Sequence, residues 1–173
     1  MKTQERRGVF ETNSSSTHSI HIDESAELLD TLPLNEGFFY KHEDRWVDEG
    51  ALVLEGGEFG WEIYDHYDAL TKANYMAVYA KDWSRDVLYE GQTLQEILVE
   101  VLTEQTGCKE VIFKFDGSVS SWNKEPNEDR EWAYIDHQSV EDMDWHYIFE
   151  DKELLRMFLF NPSSYVHTDN DNH

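Results

Sequence analysis

A single cysteine, Cys108, stands in a chain of 173 residues. No internal disulfide can form, which fits a reducing cytoplasm. Cys108 falls between a helix stop and a strand, so it is expected to be buried and unreactive. Prolines number three and no low-complexity run occurs. With 39% hydrophobic residues, nine Phe, nine Tyr and six Trp, the composition excludes an intrinsically disordered chain. No apolar run approaches the roughly 18 residues needed to cross a bilayer. Met1–Arg7 leads into no apolar segment, so neither a signal peptide nor a membrane partner is expected. Basic residues are also scarce: 14 Lys and Arg face 37 acids, for a formal net charge of −23. A field of that sign repels phosphate backbones and argues against direct nucleic-acid binding. It favours basic proteins, basic peptides or divalent cations as partners. The acids are spread along the chain, with nine against two bases over residues 41–70 and eleven against four over 124–156.

What is present reads as one α+β domain over 1–173, with a short flexible lead at 1–7 and a mixed or mainly antiparallel sheet. Two principal helices are expected, at about 68–80 and 94–106. The first carries Leu70, Ala73, Met76, Ala77 and Ala80 at helical spacing behind the candidate cap Asp68. The second opens on a capping box, Thr93 with Glu96, carries Leu94, Ile97, Leu98, Val101 and Leu102 on one face, and stops at Gly107. A short helix is expected from Ser25, and another behind Asp151 through Arg156. Strands are expected at Ser19–Asp23, Gly37–His42, Ala51–Leu54, Val111–Phe115, Trp132–Asp136, Phe158–Phe160 and Tyr165–Thr168. Gly56-Gly57-Glu58-Phe59-Gly60 lacks the lysine of a phosphate loop and carries a repelling Glu58. It reads as a tight turn that delivers Phe59 and Trp61 to the core.

Nine consecutive polar residues, Glu11 to Ser19, run directly into the first strand. Four segments together are similar to those of an uncharacterised phage and Gram-positive bacterial family. These are Phe10-Glu11-Thr12-Asn13-Ser14-Ser15-Ser16, Gly56-Gly57-Glu58-Phe59-Gly60-Trp61, Tyr134-Ile135-Asp136-His137-Gln138-Ser139, and Asn161 to Asn172. The resemblance covers most of the chain. It implies a phage-associated protein of the bacterial host's cytoplasm and brings no particular chemistry with it.

Each polar segment lies at the end of an expected strand, where loops converge on a rigid scaffold. If the segments share one sheet edge, they make a composite Ser/His/Asp/Asn site. His18 or His137 would serve as general base, Asp136 as an orienting carboxylate and Ser15 as nucleophile. Glu11, Asn13, Ser14, Ser16, Ser139, Asn161, Ser164, Asn170 and Asp171 would contact the ligand, a polar small molecule or peptide. Such a set can extend from binding to hydrolysis or group transfer. The same residue types also cap turns and satisfy backbone groups, which is the plainer reading. For a metal, His18, His21 and Asp23 have suggestive spacing, His21 and Asp23 sharing a strand face, and His42, His66 with Asp65 and Asp68, His146 and His167 add further candidate ligands. None of these has the spacing of a known zinc site, so no metal is expected and no cofactor is implied. From a different class, a strongly acidic protein can imitate the charge of DNA and inhibit a host protein that presents a basic surface.

Overall fold

The computed structural model describes residues 17–25, 28, 31–34, 40–42, 45–47, 49–60, 62–83, 88–116, 131–135 and 145–169. In chain order the elements begin with the strands β1 (Thr17–His21), β2 (Tyr40–His42), β3 (Arg45–Val47), β4 (Ala51–Leu54), β5 (Glu58–Phe59) and β6 (Tyr64–His66). The long helix α1 (Ala69–Trp83) follows, then β7 (Leu88–Tyr89), β8 (Gln92–Thr93) and α2 (Leu94–Thr106). After these come β9 (Glu110–Phe113), β10 (Phe115–Asp116), β11 (Glu131–Trp132) and β12 (Tyr134–Ile135). The chain closes through α3 (His146–Glu150), α4 (Lys152–Phe160) and β13 (Tyr165–Asp169). The class is α+β, as expected.

Among the described residues, the strands gather into several small groups. The largest is three-stranded and antiparallel, in the order β1–β13–β6. It joins the two ends of the described chain, with Thr17 opposite Asp169 and His21 opposite Tyr165. The pairs β4–β9, β5–β12 and β10–β11 are parallel. The segments 51–59, 110–116 and 131–135 therefore run side by side in one direction. Gly56 sits where they meet, at φ +79°, and a Cβ there would lie 2.4 Å from Ala133 Cβ and 2.8 Å from Phe115 Cγ. This position needs glycine both for its left-handed backbone and for the close approach. Phe59 reaches the core as expected, at 5% exposure, while Trp61 lies outside the described residues.

Helix α1 is the axis of the molecule. Every residue from Lys72 to Ala80 is buried, not only the apolar stripe seen in the sequence. It packs against β4, β12, α2 and α4. A helix enclosed on all sides must satisfy its polar side chains inside the core, and α1 does so by tying to four different segments. Lys72 donates from Nζ to the carbonyl oxygens of Asn161 and Ser164, each at 2.9 Å. Asn74 accepts from Gly56 N at 2.8 Å. The Tyr75 hydroxyl lies 3.0 Å from His18 Nδ1, and the Tyr79 hydroxyl accepts from Trp145 N at 3.2 Å.

Helix α2 is local chemistry realised. The Thr93–Glu96 capping box is present, Gly107 closes the helix at φ 69°, and Leu94, Ile97, Leu98, Val101 and Leu102 are the buried face. Two sequence expectations are corrected. Phe158–Phe160 is not a strand but the last turn of α4, because Leu155, Phe158 and Leu159 share the buried side of one helix. The helix stops at Asn161, which is extended at φ −82° and ψ 120°, as a residue before proline favours. The first strand is Thr17–His21 and not Ser19–Asp23, because Asp23 turns away to bond with Ser164 and Asn161. Residues 26, 27, 29 and 30 of the helix expected after Ser25 lie outside the described residues, as does the lead at 1–7.

Candidate functional site

Ten of the thirteen site residues read from the sequence lie outside the described residues: Glu11, Asn13, Ser14, Ser15, Ser16, Asp136, His137, Ser139, Asn170 and Asp171. His18, Asn161 and Ser164 are described, and all three are buried. His18 faces inward because the strand alternation that points Ser19 and His21 outward turns it towards α1. Its ring lies 5.8 Å from that of Tyr75, whose hydroxyl is pushed far above its ordinary pKa by burial. Asn161 and Ser164 build the turn between α4 and β13. Asn161 accepts from Ser163 N through its side chain and donates to the Asp23 carbonyl oxygen. Ser164 Oγ accepts from Asp23 N at 2.9 Å. His18 pairs with Thr168, four residues along the strand from Ser164, which separates them by roughly 13 Å. The two described ends of the expected composite thus sit at opposite ends of the β1–β13 ladder. The chain enters β1 and leaves β13 at the end that carries Thr17 and Asp169.

The solvent side of the three-stranded sheet holds a different constellation. Alternation along β13 buries Val166 and Thr168 and turns Tyr165 and His167 outward. Register then places His21 opposite Tyr165 on one side and Asp65 opposite His167 on the other. The His21 and Tyr165 rings stack at 5.0 Å and 26°. Tyr67, just past the end of β6, lies against Tyr165 at 4.9 Å. His167 Nδ1 is 2.6 Å from Asp65 Oδ1. An open depression of about 400 Å³ beside this pair is lined by Ile63, Tyr64, Asp65, Tyr67 and His167. Ile63, Tyr64 and Tyr67 are 56%, 59% and 45% exposed, a concentration of large side chains in water that soluble surfaces rarely keep without use.

The local field is negative. Tyr165 is raised from its ordinary pKa first by burial and then by the charge of Asp65 and the neighbouring Tyr67. His66, on the inner side of β6, is lowered by burial although Asp68, Asp65 and Glu62 all pull the other way. Its ring meets Phe59 edge-on at 5.9 Å, and Nε2 lies 3.4 Å from Thr168 Oγ1. Among the described residues, no group of three His, Cys, Asp or Glu side chains is arranged to hold a metal ion.

Sequence inspection noted His21, Asp65 and His167 only as scattered imidazoles and carboxylates. Their meeting depends on the pairing of strands from three distant parts of the chain. The one local signal is the run Ile63-Tyr64-Asp65-His66-Tyr67-Asp68, which brings three rings and two carboxylates together ahead of a helix. No protein-family model matches the chain, and neither the curated proteins nor the solved structures include a match to it.

Proposed function

We propose that this protein binds a polar small molecule or peptide on the outer face of the β1–β13–β6 sheet. The carrying observation is the Tyr67–Tyr165–His21 stack beside the His167–Asp65 pair. Rigid rings offer contact area at low entropic cost, and the pair offers a donor and an acceptor at their rim. The phage or bacterial cytoplasmic setting implied by the resemblance supplies such ligands.

The test is an NMR titration of the full chain with amino acids, nucleosides, sugars and short peptides. At least one ligand should shift the ring signals of His21, Tyr67, Tyr165 and His167 together, and Tyr67→Ala should abolish that response. Ligands that bind while leaving these rings unmoved would defeat the proposal. Turnover shows in the same spectra as new ligand signals, so hydrolase or transferase activity is read alongside binding.

The acidic-inhibitor reading would rest on the acid-rich segments 41–68 and 125–153, of which residues 43, 44, 48, 61, 125–130 and 136–144 lie outside the described residues. Along the seam of α2 and α4, carboxylates are drawn into local ion pairs, Glu100 with Lys152 and both Glu104 and Glu153 with Arg156.

A further inference from the structure

We infer that the occupant of the depression is an arginine or lysine side chain, carried by an extended basic segment of a partner protein. The inference rests on the reading of this face as the binding surface and names what the surface takes. Tyr67 lines the depression and is 45% exposed, and a cation over a tyrosine face is attracted by the ring's negative centre. Asp65, with its side chain 43% exposed, supplies the carboxylate for a charge-assisted hydrogen bond. None of the five lining residues is Lys or Arg, and the whole chain carries −23. A cation is therefore favoured both at contact and during approach.

The backbone decides between a free cation and a peptide. β6 is an outer strand of its sheet among the described residues. Tyr64, at the start of this strand, is 59% exposed, so that end of β6 is within reach of solvent. An extended segment can add there as a further strand, bonding to the backbone of β6 while alternate side chains fall towards Asp65. A free cation would use the rings and the carboxylate but not the strand edge.

The experiment is calorimetric titration of the full chain at low salt with three probes. These are a blocked Val-Arg-Val-Arg-Val peptide, its Glu counterpart, and arginine amide. The arginine peptide should bind, the glutamate peptide should not, and arginine amide should bind at least about tenfold more weakly than the arginine peptide. Asp65→Asn and, independently, Tyr67→Ala should each weaken the arginine peptide by about tenfold, with thermal melts confirming that both variants fold. Equal binding of the two peptides, or full affinity in both variants, overturns the inference. Arginine amide binding as tightly as the peptide overturns the partner-segment assignment in favour of a free cation. If a neutral ligand shifts Tyr67 and His167 while the arginine peptide does nothing, the cationic assignment fails and the binding face stands. If no ligand moves these rings, both fail.

Discussion

The side-chain nitrogen of Lys72 lies 2.9 Å from the carbonyl oxygen of Asn161, and both residues are buried. A second bond of the same length runs from Lys72 to the Ser164 carbonyl. The turn exposes Pro162 and Ser163 but buries Asn161 and Ser164 at its two ends, and a long amine-bearing side chain from the central helix reaches their carbonyl groups. Lys72 thereby fastens α1 to the turn between α4 and β13, and through Asp23 to the end of β1.

Lys72→Met keeps the length and the apolar stem but removes the donor. Both carbonyl oxygens lose the bond from the amine, although Asn161 O keeps the one from Ser164 N at 3.1 Å, so a loss of about 1–3 kcal/mol is expected. Urea denaturation should show a lower midpoint with an unchanged slope, since the surface exposed on unfolding stays the same. A midpoint equal to that of the parent would mean the amine contributes nothing net.

Gly56→Ala combines two costs. The residue sits at φ +79°, and the new methyl would fall 2.4 Å from Ala133 and 2.8 Å from Phe115. Gly91 is the internal control, since its φ is +85° but nothing lies within 4 Å of the Cβ position. Gly91→Ala should cost about 1 kcal/mol from backbone strain alone, and Gly56→Ala about 2 kcal/mol more from overpacking. Equal losses in the two variants would show that the three parallel segments yield freely around Gly56.

Which features could be read from the chain follows from how local their causes are. α2 was legible because its cap, apolar face and glycine stop all lie within fifteen residues. α1 was legible as a helix but not as the axis of the core, because Lys72, Asn74, Tyr75 and Tyr79 look like a polar side until their partners are known. Phe158–Phe160 misled because aromatic composition favours strands, whereas packing against α2 and α1 made that run helical. The outer face was hidden for a further reason. His21, Tyr165, His167 and Asp65 share it only in the observed register, and a slip of one residue would send each to the opposite side. Of the polar run Glu11 to Ser19, which dominates the chain as text, residues 11–16 lie outside the described residues.

Thr93→Ala tests the capping box on α2. Thr93 Oγ1 accepts from Glu96 N at 3.2 Å, and the Glu96 carboxylate accepts from Thr93 N at 2.8 Å. Loss of the hydroxyl should cost about 1 kcal/mol near neutral pH. Glu96 is held below its ordinary 4.5 by the Thr93 backbone N–H and then by its hydroxyl. A depressed carboxylate stabilises the fold above its unfolded pKa and loses that contribution as pH falls through the folded value. The gap between parent and variant should therefore be widest at neutral pH and narrow on acidification below 4.5. A gap that stays constant across the titration would show that the hydroxyl acts only on the Glu96 N–H and not through the carboxylate.

His66 gives the opposite end of the same argument. Burial keeps its imidazole below the ordinary 6.5, against the pull of Asp68, Asp65 and Glu62. The folded protein thus prefers the neutral ring, while the unfolded chain takes up the proton first as pH falls. Below 6.5 the unfolded state binds more protons, so the His66 contribution to stability is lost with acidification down to the folded pKa and is whole above 6.5. His66→Gln keeps a polar group near Thr168 but cannot titrate. Its stability should therefore fall less than the parent's between about pH 7.5 and pH 5, a difference set by the direction of this one shift. The comparison of parent with variant cancels the contribution of every other histidine, since both chains share them. Parallel curves in urea unfolding at the two pH values would mean that His66 is as well hydrated folded as unfolded, and that the inner side of β6 is open to water.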